Sequence, residues 1–293
     1  MGLRNRETEM ASPSLLASCW TTAGAVGPLS TNKRSPEAFS DRVKAAADAG
    51  FVGIGLNYDD LVAVRDSIGF QEAKAIMDQF GLRHIELEML RGWYEQGSAR
   101  ERADQACKEI FMAAASLDAI HVKARCDYSP LGRPFEDIVR EFRTLCYHAA
   151  DVNTKVAFEP QPMSPLSTPF DAFRLVDAAG HDAGGIIIDI WHVERSGASL
   201  ESLRDIPIDK IFAVELNDAA SEVAGTLAED SANNRRFCGE GDFDLRGFIR
   251  TMQALEYDRL WGVEIISASV REMPMREAVN RAFRTTVAEF QNA

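Results

Sequence analysis

Four acidic residues stand at or near the ends of apolar runs in the second half of this 293-residue chain. Glu159 ends KVAFE, Asp189 ends GIIID, Glu215 lies in IFAVEL and Glu264 lies in LWGVEII. If these runs are parallel strands of a barrel, their carboxyl ends meet at one mouth and the four acids converge. Converging carboxylates raise one another's pKa, and a divalent cation with oxygen ligands removes that conflict. The pattern therefore predicts a metal site held by Glu159, Asp189, Glu215 and Glu264.

Other polar and aromatic residues stand next to the same kind of run. His192 lies three residues after Asp189 and is a catalytic candidate at the same mouth. In the first half of the chain, the candidates for contacting substrate are Trp20, Glu88, Trp93 and Lys123. Aromatic side chains there would suit a sugar ring, but each of these four could instead pack in the core or hold a loop. A strand-end acid likewise has an alternative role, because it can cap the next helix or pair with an arginine.

Short apolar runs alternate along the chain with segments of helical periodicity. Apolar side chains at positions 70, 73, 77 and 80 recur at helical spacing and stop at Gly81, a residue suited to end a helix. A last amphipathic segment runs from Met275 to Phe290. The predicted strands are LLASCW (15–20), FVGIGL (51–56), LRHIELE (82–88), AIHVKA (119–124), KVAFE (155–159), GIIID (185–189), IFAVEL (211–216) and LWGVEII (260–266).

The number and spacing of these units predict one α/β domain. Eight strand–helix units in about 280 residues match a single (β/α)8 TIM barrel, whose active site forms at the C-terminal ends of the strands. A doubly wound sheet is the alternative, but no glycine-rich fingerprint opens a helix after the first strand. We therefore expect residues 13–293 to form the barrel and residues 1–12 to be a loose N-terminal tail.

Composition limits the classes of protein and of partner. The formal net charge of −13 opposes binding to a nucleic-acid backbone, and the chain lacks the apolar run of about 18 residues that a membrane span needs. The N-terminal residues lack a hydrophobic signal region, which indicates a cytoplasmic protein. The five cysteines are odd in number, scattered and without a CxxC pair, which argues against a disulfide framework or a structural zinc site.

Five motifs carry a resemblance to a known family: VAFEP (156–160), DIWH (189–192), VELND (214–218), GEGDFD (239–244) and GVEI (262–265). From SCWTTAG to its last helix, the chain resembles the xylose-isomerase-like TIM barrels, which include sugar isomerases, epimerases and inosose dehydratases. The resemblance implies that Glu159, Asp189 and Glu264 bind a divalent metal, and that the two glutamates also act as acid and base. It further implies that His192 contacts substrate oxygens and that Arg236 binds substrate or the acids of the site.

One residue departs from the pattern of the family. On the seventh strand many members have a histidine ligand where this chain has Glu215. An all-carboxylate shell favours Mn²⁺ or Mg²⁺ over Zn²⁺, and it makes the zinc-dependent DNA-repair branch of the superfamily a poor match. We expect Mn²⁺ or Mg²⁺ as the cofactor and no organic cofactor.

The chemistry that suits a hard metal between two carboxylates is the removal of a proton next to a carbonyl. The resemblance implies an isomerase or epimerase that forms a metal-stabilised enediolate from a sugar or a related polyol-ketone. Glu159 and Glu264 would exchange the protons, and His192 and Arg236 would orient the substrate.

Two other functions stay open at this point. The same enolate can expel a β-substituent, as in an inosose dehydratase. The stretches SCWTTAG, GIGLNYDDLVAVRDSIGF and HIELEMLRGW are similar to a subgroup that includes the catalytic subunits of C-glycoside deglycosylating enzymes. These lyases act on 3-oxo-glycosides and work with a small β-rich partner chain. A barrel that binds a sugar without converting it is the second alternative. The expected ligand is a small sugar or glycoside, and a homo-oligomer or a small β-rich partner subunit are the assemblies considered.

Overall fold

Eight parallel strands follow one another around a closed barrel, and β1 pairs with β8 to complete it. The structure is a computed structural model that describes residues 13–293, so the predicted tail of residues 1–12 lies outside the described residues. Each strand overlaps a predicted run, and the predicted (β/α)8 fold is confirmed. The strands are β1 (Leu15–Ala17), β2 (Gly53–Asn57), β3 (His84–Leu90), β4 (His121–Ala124), β5 (Val156–Phe158), β6 (Gly184–Asp189), β7 (Ile211–Leu216) and β8 (Trp261–Val263).

Amphipathic helices surround the barrel. The predicted helix at positions 70–80 is present and ends at Gly81, whose φ of 77° is the left-handed conformation that glycine adopts without strain. Within residues 13–293, no helix combines the length and the apolar character needed to cross a bilayer. The helices are α1 (Phe39–Ala49), α2 (Tyr58–Ser67), α3 (Gly69–Phe80), α4 (Gly97–Leu117), α5 (Phe135–Asp151), α6 (Pro169–Ala179), α7 (Ile190–Ser196), α8 (Leu227–Asn233), α9 (Leu245–Ala254) and α10 (Met275–Gln291).

The polar segment from Ala219 to Asp242, between β7 and β8, contains the short helix α8. A capping box starts this helix, because the Thr226 side chain accepts a hydrogen bond from the Glu229 backbone and the Glu229 carboxylate accepts one from the Thr226 backbone. After α8 the chain runs extended along the barrel mouth, where Arg236 pairs with Asp218 in an antiparallel bridge.

The barrel strands separate an apolar layer from a polar interior. Side chains alternate faces along a strand, and the outward set packs with the helices into one large apolar core. The inward set is different, because its apolar members form only a small cluster of Ala157, Ile187 and Ala213. Charged residues and glycines occupy much of the remaining interior. At Gly262, for example, an added Cβ would lie 2.9 Å from the Cγ atom of Glu215, so the missing side chain makes room for that glutamate.

Candidate active site

The four strand-end acids converge, as the geometry of a barrel predicts. Glu159 follows β5, Asp189 ends β6, Glu215 lies within β7 and Glu264 follows β8. Each offers a carboxylate oxygen, and these four oxygens all lie within 4.8 Å of one another. All four side chains are buried. This group of four acids, hereafter the acid cluster, is compact enough to hold one cation.

Glu215 faces the interior of the barrel. Its Oε1 atom accepts a 2.7 Å hydrogen bond from Ser18 and contacts Lys123, while its Oε2 atom has no hydrogen-bond partner among the described residues. Asp218, the other acid near the end of this strand, has a structural role instead. Its carboxylate accepts backbone hydrogen bonds from residues 219, 239, 241 and 243, which fixes the shape of the GEGDFD segment.

Lys123 occupies the centre of the barrel rather than the mouth at which we expected it to contact substrate. Its side chain is 0% exposed. The ammonium group lies 3.3 Å from Glu86, 3.2 Å from Glu88 and 3.7 Å from Glu264, and it also contacts Glu215. A lysine this deeply buried needs such partners, because removing its charge from water without compensation is costly.

Two cavities lie on opposite sides of the layer that Lys123 forms with its acids. The larger, of about 400 Å³, opens at the C-terminal ends of the strands and reaches Glu88, Glu159 and Glu264. The other, of about 310 Å³, reaches Glu86 and Glu215 from the opposite end of the barrel. Because the larger cavity contains the outer members of the acid cluster, we assign it as the candidate active site.

An arginine neutralises part of the acid cluster, but it is Arg235 and not the predicted Arg236. The Nη1 atom of Arg235 lies 2.6 Å from Asp189 and 2.9 Å from Glu264. Arg236 is exposed, and its guanidinium donates a hydrogen bond to the backbone of Glu240. The two neighbours lie in an extended segment, where successive side chains point in opposite directions. The prediction that Arg236 reaches the acids of the site is therefore wrong by one residue.

His192 lies beside the acid cluster on helix α7. Its Nε2 atom is 3.6 Å from Glu159 and 3.8 Å from Asp189. The ring is buried, and neither of its nitrogens makes a hydrogen bond within residues 13–293. Asp189 is held in place by a 2.8 Å hydrogen bond from the Asn217 amide and by the backbone amide of Trp191. The imidazole therefore lies within ion-pair distance of two carboxylates but makes no hydrogen bond to either.

A short chain of hydrogen bonds leads from the cavity wall to Glu159. The amide of Gln161 donates a 2.8 Å hydrogen bond to the Oε2 atom of Glu159, and the hydroxyl of Tyr128 donates a 2.9 Å hydrogen bond to the Oε1 atom of Gln161. No sequence pattern marks either residue, although Gln161 is only two positions after Glu159. These contacts fix the direction in which the Glu159 carboxylate points.

The remaining predicted substrate contacts separate into two groups. Trp20 and Glu88 line the larger cavity. Trp93 does not, because its ring is buried against Phe142 and Phe158 and its indole NH donates a 3.0 Å hydrogen bond to the backbone of Arg125. Trp93 thus packs in the apolar core between barrel and helices, and its predicted contact with substrate at the mouth is wrong.

The buried acids titrate in opposite directions. Burial raises the pKa of Glu264 to about 8, although Arg235 and Lys123 oppose that shift. Burial and the charge of Glu264 also raise the pKa of Glu215. Burial would raise the pKa of Glu159 too, but the adjacent His192 holds that pKa well below its usual range. Without a further cation, the acid cluster therefore retains protons at neutral pH.

Comparison with curated proteins finds relatives that are enzymes. A 3-dehydroshikimate dehydratase of Pseudomonas putida is 27% identical over 243 residues, which cover 81% of this chain and 37% of that protein. An inosose isomerase of Bacillus velezensis is 26% identical over 137 residues, which cover 47% of this chain and 48% of that protein. The chain thus spans less than half of the length of each of these relatives.

Solved structures share the fold at low sequence identity. The IolI protein, whose crystal structure holds a zinc atom, has a TM-score of 0.79 and 18% identity, covering 95% of this chain and 98% of that chain. The model of the xylose isomerase-like TIM barrel family matches residues 43–285. Together with the closed barrel and the acids at its mouth, this match shows that the chain belongs to the xylose isomerase-like TIM barrel family.

Proposed function

We propose that this chain is a divalent-metal-dependent isomerase or epimerase that removes a proton next to the carbonyl of a sugar or a related polyhydroxy ketone. The arrangement of the acid cluster carries this proposal. Glu159 and Glu264 come from β5 and β8, on either side of the strands that carry Asp189 and Glu215. A ketone bound over the cluster would therefore meet one carboxylate on each side, as proton exchange at two positions or on two faces requires.

The residues present fit a divalent cation. Around the mouth and the interior, six buried carboxylates share two permanently charged partners, Lys123 and Arg235, which leaves an excess of four negative charges when all the acids are ionised. The unpaired Oε2 atom of Glu215 also favours a further cation. An all-oxygen set of ligands favours Mn²⁺ or Mg²⁺. The six acids are Glu86, Glu88, Glu159, Asp189, Glu215 and Glu264.

We assign the ligands to the acid cluster, namely Glu159, Asp189, Glu215 and Glu264. A bound cation would polarise the carbonyl of the substrate and so make the neighbouring C–H group more acidic. The chain supplies the other parts of the reaction. Glu159, directed by Gln161, and Glu264, held by Arg235, would remove and return the proton. His192 would donate or accept hydrogen bonds at substrate oxygens.

Elimination is a second candidate, favoured by a specific comparison. The match to the dehydratase of Pseudomonas putida covers 81% of this chain, whereas the match to the inosose isomerase covers 47%. A dehydratase begins with the same removal of a proton and then expels a hydroxyl group from the β-carbon. The imidazole of His192, 3.6 Å from Glu159, could give a proton to that leaving group.

Metal content and isotope exchange test the proposal together. We expect protein dialysed against Mn²⁺ to retain one ion per chain by elemental analysis. In D₂O it should exchange the proton next to the carbonyl in a member of a panel of ketoses, inososes and 3-oxo-glycosides, measured by NMR. An isomerase returns an isomeric ketone, whereas a lyase gives an α,β-unsaturated product that absorbs in the ultraviolet.

Two variants locate the chemistry. Glu159→Gln and Glu264→Gln keep size but lose the base, so each should slow exchange about 10²- to 10⁴-fold at saturating Mn²⁺. Glu201→Gln, at a side chain that is 82% exposed, serves as the control and should leave exchange unchanged. Protein that stays metal-free in millimolar Mn²⁺, with exchange untouched by EDTA, would overturn the metal assignment. Wild-type exchange in both metal-loaded variants would assign proton transfer to other residues, with His192 the first to examine.

A further inference from the structure

The larger cavity has a second charged wall, opposite in sign to the acid cluster. Lys33, Arg91 and Arg125 line it together with the acids Asp59 and Glu88. Lys33 lies in the loop after β1, Arg91 directly follows β3 and Arg125 directly follows β4. The acid cluster comes from β5 to β8, so the charges of the mouth are divided between the two halves of the barrel.

These three cations, hereafter the basic wall, have acids nearby but few direct contacts with them, because Asp59 acts on Lys33 and Asp127 on Arg91 and Arg125 only through charge. In the part of the chain that the structure describes, neither the ammonium of Lys33 nor the guanidinium of Arg91 makes a hydrogen bond or an ion pair. The Arg125 guanidinium donates to the backbone of Cys126 and has Asp127 at 3.9 Å. The surrounding protein and the charges of Arg91 and Arg125 lower the pKa of Lys33. The side chain of Arg91 keeps an exposed part, but desolvation by the cavity and the charge of Arg125 lower its pKa, while Asp127 and Glu88 oppose that shift.

The basic wall is also unusual for this chain. The net charge is −13, and most of the other arginines around the barrel are paired with a carboxylate or a backbone carbonyl. Three cations that repel one another in a partly closed cavity raise the free energy of the empty site. Asp59 and Asp127 offset part of that repulsion, and a bound anion with direct hydrogen bonds to the cations would reduce it further.

We propose that the basic wall binds a carboxylate or phosphate group of the substrate, whose hydroxyketone end meets the acid cluster. The substrate class would then be an acidic sugar, a hydroxyketo acid or a sugar phosphate rather than a neutral sugar. This inference rests on the proposed function for the assignment of the hydroxyketone end. Arginine suits such an anion because its guanidinium can donate two parallel hydrogen bonds to a carboxylate or phosphate.

The size of the cavity and its contacts agree with a ligand that has two different ends. A volume of about 400 Å³ is within the range of small-molecule sites. The basic wall is also connected to Glu159, because the Arg125 guanidinium lies 4.5 Å from the ring centre of Tyr128, which hydrogen-bonds to Gln161. Occupation of the anion site would therefore act on the residue that directs Glu159.

Matched pairs of charged and uncharged probes test the anion site. The first pair is 3,4-dihydroxybenzoate and its methyl ester, in which two adjacent hydroxyls can chelate a metal. The second pair is fructose 6-phosphate and fructose. We expect the anionic member of one pair to bind the Mn²⁺-loaded protein about 10- to 100-fold more tightly in calorimetric titrations, the effect of a charge-assisted hydrogen bond. The pair that shows the preference distinguishes a carboxylate site from a phosphate site.

Variants of the basic wall test whether its residues cause the tighter binding of the anionic probe. Arg91→Gln and Lys33→Gln should each remove most of it, and Arg91→Lys should keep part of it because the charge remains. Loss of folding is not expected, since neither side chain has a hydrogen-bond partner among residues 13–293. Arg250→Gln, at an exposed arginine outside the cavity, is the control.

The outcomes separate this inference from the proposed function. Equal affinities within both pairs, or a preference that persists in Arg91→Gln and Lys33→Gln, would overturn the anion site. A preference for the anion that does not depend on Mn²⁺ would support the anion site and overturn the assignment of the metal end. Mn²⁺-dependent binding without any preference for the anion would support the assignment of the metal end and overturn the anion site.

Discussion

The guanidinium of Arg235 lies 2.9 Å from the carboxylate of Glu264 and so takes up part of the negative charge that a metal would need. We expect Arg235→Gln to bind Mn²⁺ about tenfold more tightly, because a cation next to two of the ligands is removed. Catalysis should fall, since Asp189 and Glu264 lose the donor that orients them. Titration with Mn²⁺ and the rate of isotope exchange measure the two effects.

Arg236→Gln is the matched control for this experiment. The residue is adjacent in sequence, but its side chain is exposed and does not contact the acid cluster. Metal affinity and rate should equal those of the wild type. Weaker binding of Mn²⁺ by Arg235→Gln would show that the guanidinium supports the metal site instead of competing with the metal.

Gln161 is expected to act through Glu159, to which its amide donates a 2.8 Å hydrogen bond. Gln161→Leu keeps the volume but removes a donor that stabilises the ionised carboxylate, so the acidic limb of the pH–rate profile should move to higher pH. The rate constant kcat should fall about tenfold at neutral pH, within the range for a misdirected catalytic base. Tyr128→Phe, which removes only the next hydrogen bond, should cause a smaller shift.

The control is Gln253→Leu, at an exposed position on α9. It should change neither kcat nor the pH profile. A fall in kcat without any movement of the profile in Gln161→Leu would mean that the residue shapes the cavity but does not influence the ionisation of Glu159.

Removal of the central lysine should destabilise the fold. Lys123→Met leaves the carboxylates of the interior without their shared cation, and breaking a buried ion pair in this way costs about 3–5 kcal/mol. Mn²⁺ should restore part of the loss by supplying positive charge to the acid cluster. Urea denaturation with and without Mn²⁺ measures both effects.

Lys74→Met gives the comparison for an exposed ion pair. Lys74 pairs with Asp118, and the two side chains are 42% and 73% exposed. The free energy of unfolding should change by less than about 1 kcal/mol. If Lys123→Met were no more destabilising than Lys74→Met, the interior acids would have to be neutralised by their own protons.

The metal-free protein should become less stable as pH rises from 5 to 8. Burial raises the pKa of Glu264 from 4.5 to about 8, so between these values the folded state keeps a proton that the unfolded state releases. That contribution to stability is complete below pH 4.5 and is lost as pH rises through the folded pKa. Glu215 shifts in the same direction. Each such proton changes the free energy of unfolding by up to about 1.4 kcal/mol per pH unit.

Urea denaturation of EDTA-treated protein at several pH values measures this slope. Glu264→Gln should reduce the slope, because the amide cannot release a proton. Saturating Mn²⁺ should also reduce it by favouring the ionised acids. A stability that rises over the same interval would contradict the raised pKa values.

The barrel and the acid cluster could be predicted from local patterns. A short apolar run predicts a strand. An acid at the C-terminal end of such a run is placed at the mouth of the barrel by the fold itself, independently of contacts with distant residues. Glu86 could have been found in the same way, because it lies two positions before Glu88 on one strand and shares its face. The helix α8 was also marked in the sequence by the Thr226 and Glu229 capping box.

The remaining residues depend on contacts between distant segments. The choice between Arg235 and Arg236 is set by the bridge that Arg236 forms with Asp218, which no local pattern reports. Trp93 lies where a mouth residue would lie, but packing against Phe142 and Phe158 turns its ring towards the helices. The depth at which the Lys123 side chain lies in the barrel also cannot be predicted from sequence, because it depends on the positions of the acids that surround its ammonium group.

The ionic contacts of Lys123 have a consequence for how the two halves of the chain depend on each other. Strands β1 to β4 and β5 to β8 are each a run of four strand–helix units, so each could be regarded as a half-barrel module. The second half, however, holds four of the six interior acids and supplies only Arg235 as a permanent cation. Lys123, from the first half, contacts Glu215 and Glu264 of the second. Each half alone has more interior acids than permanent cations, and both halves place acids around Lys123. Because the acids of both halves depend on this one cation, the interior charge makes the two modules a single unit of folding.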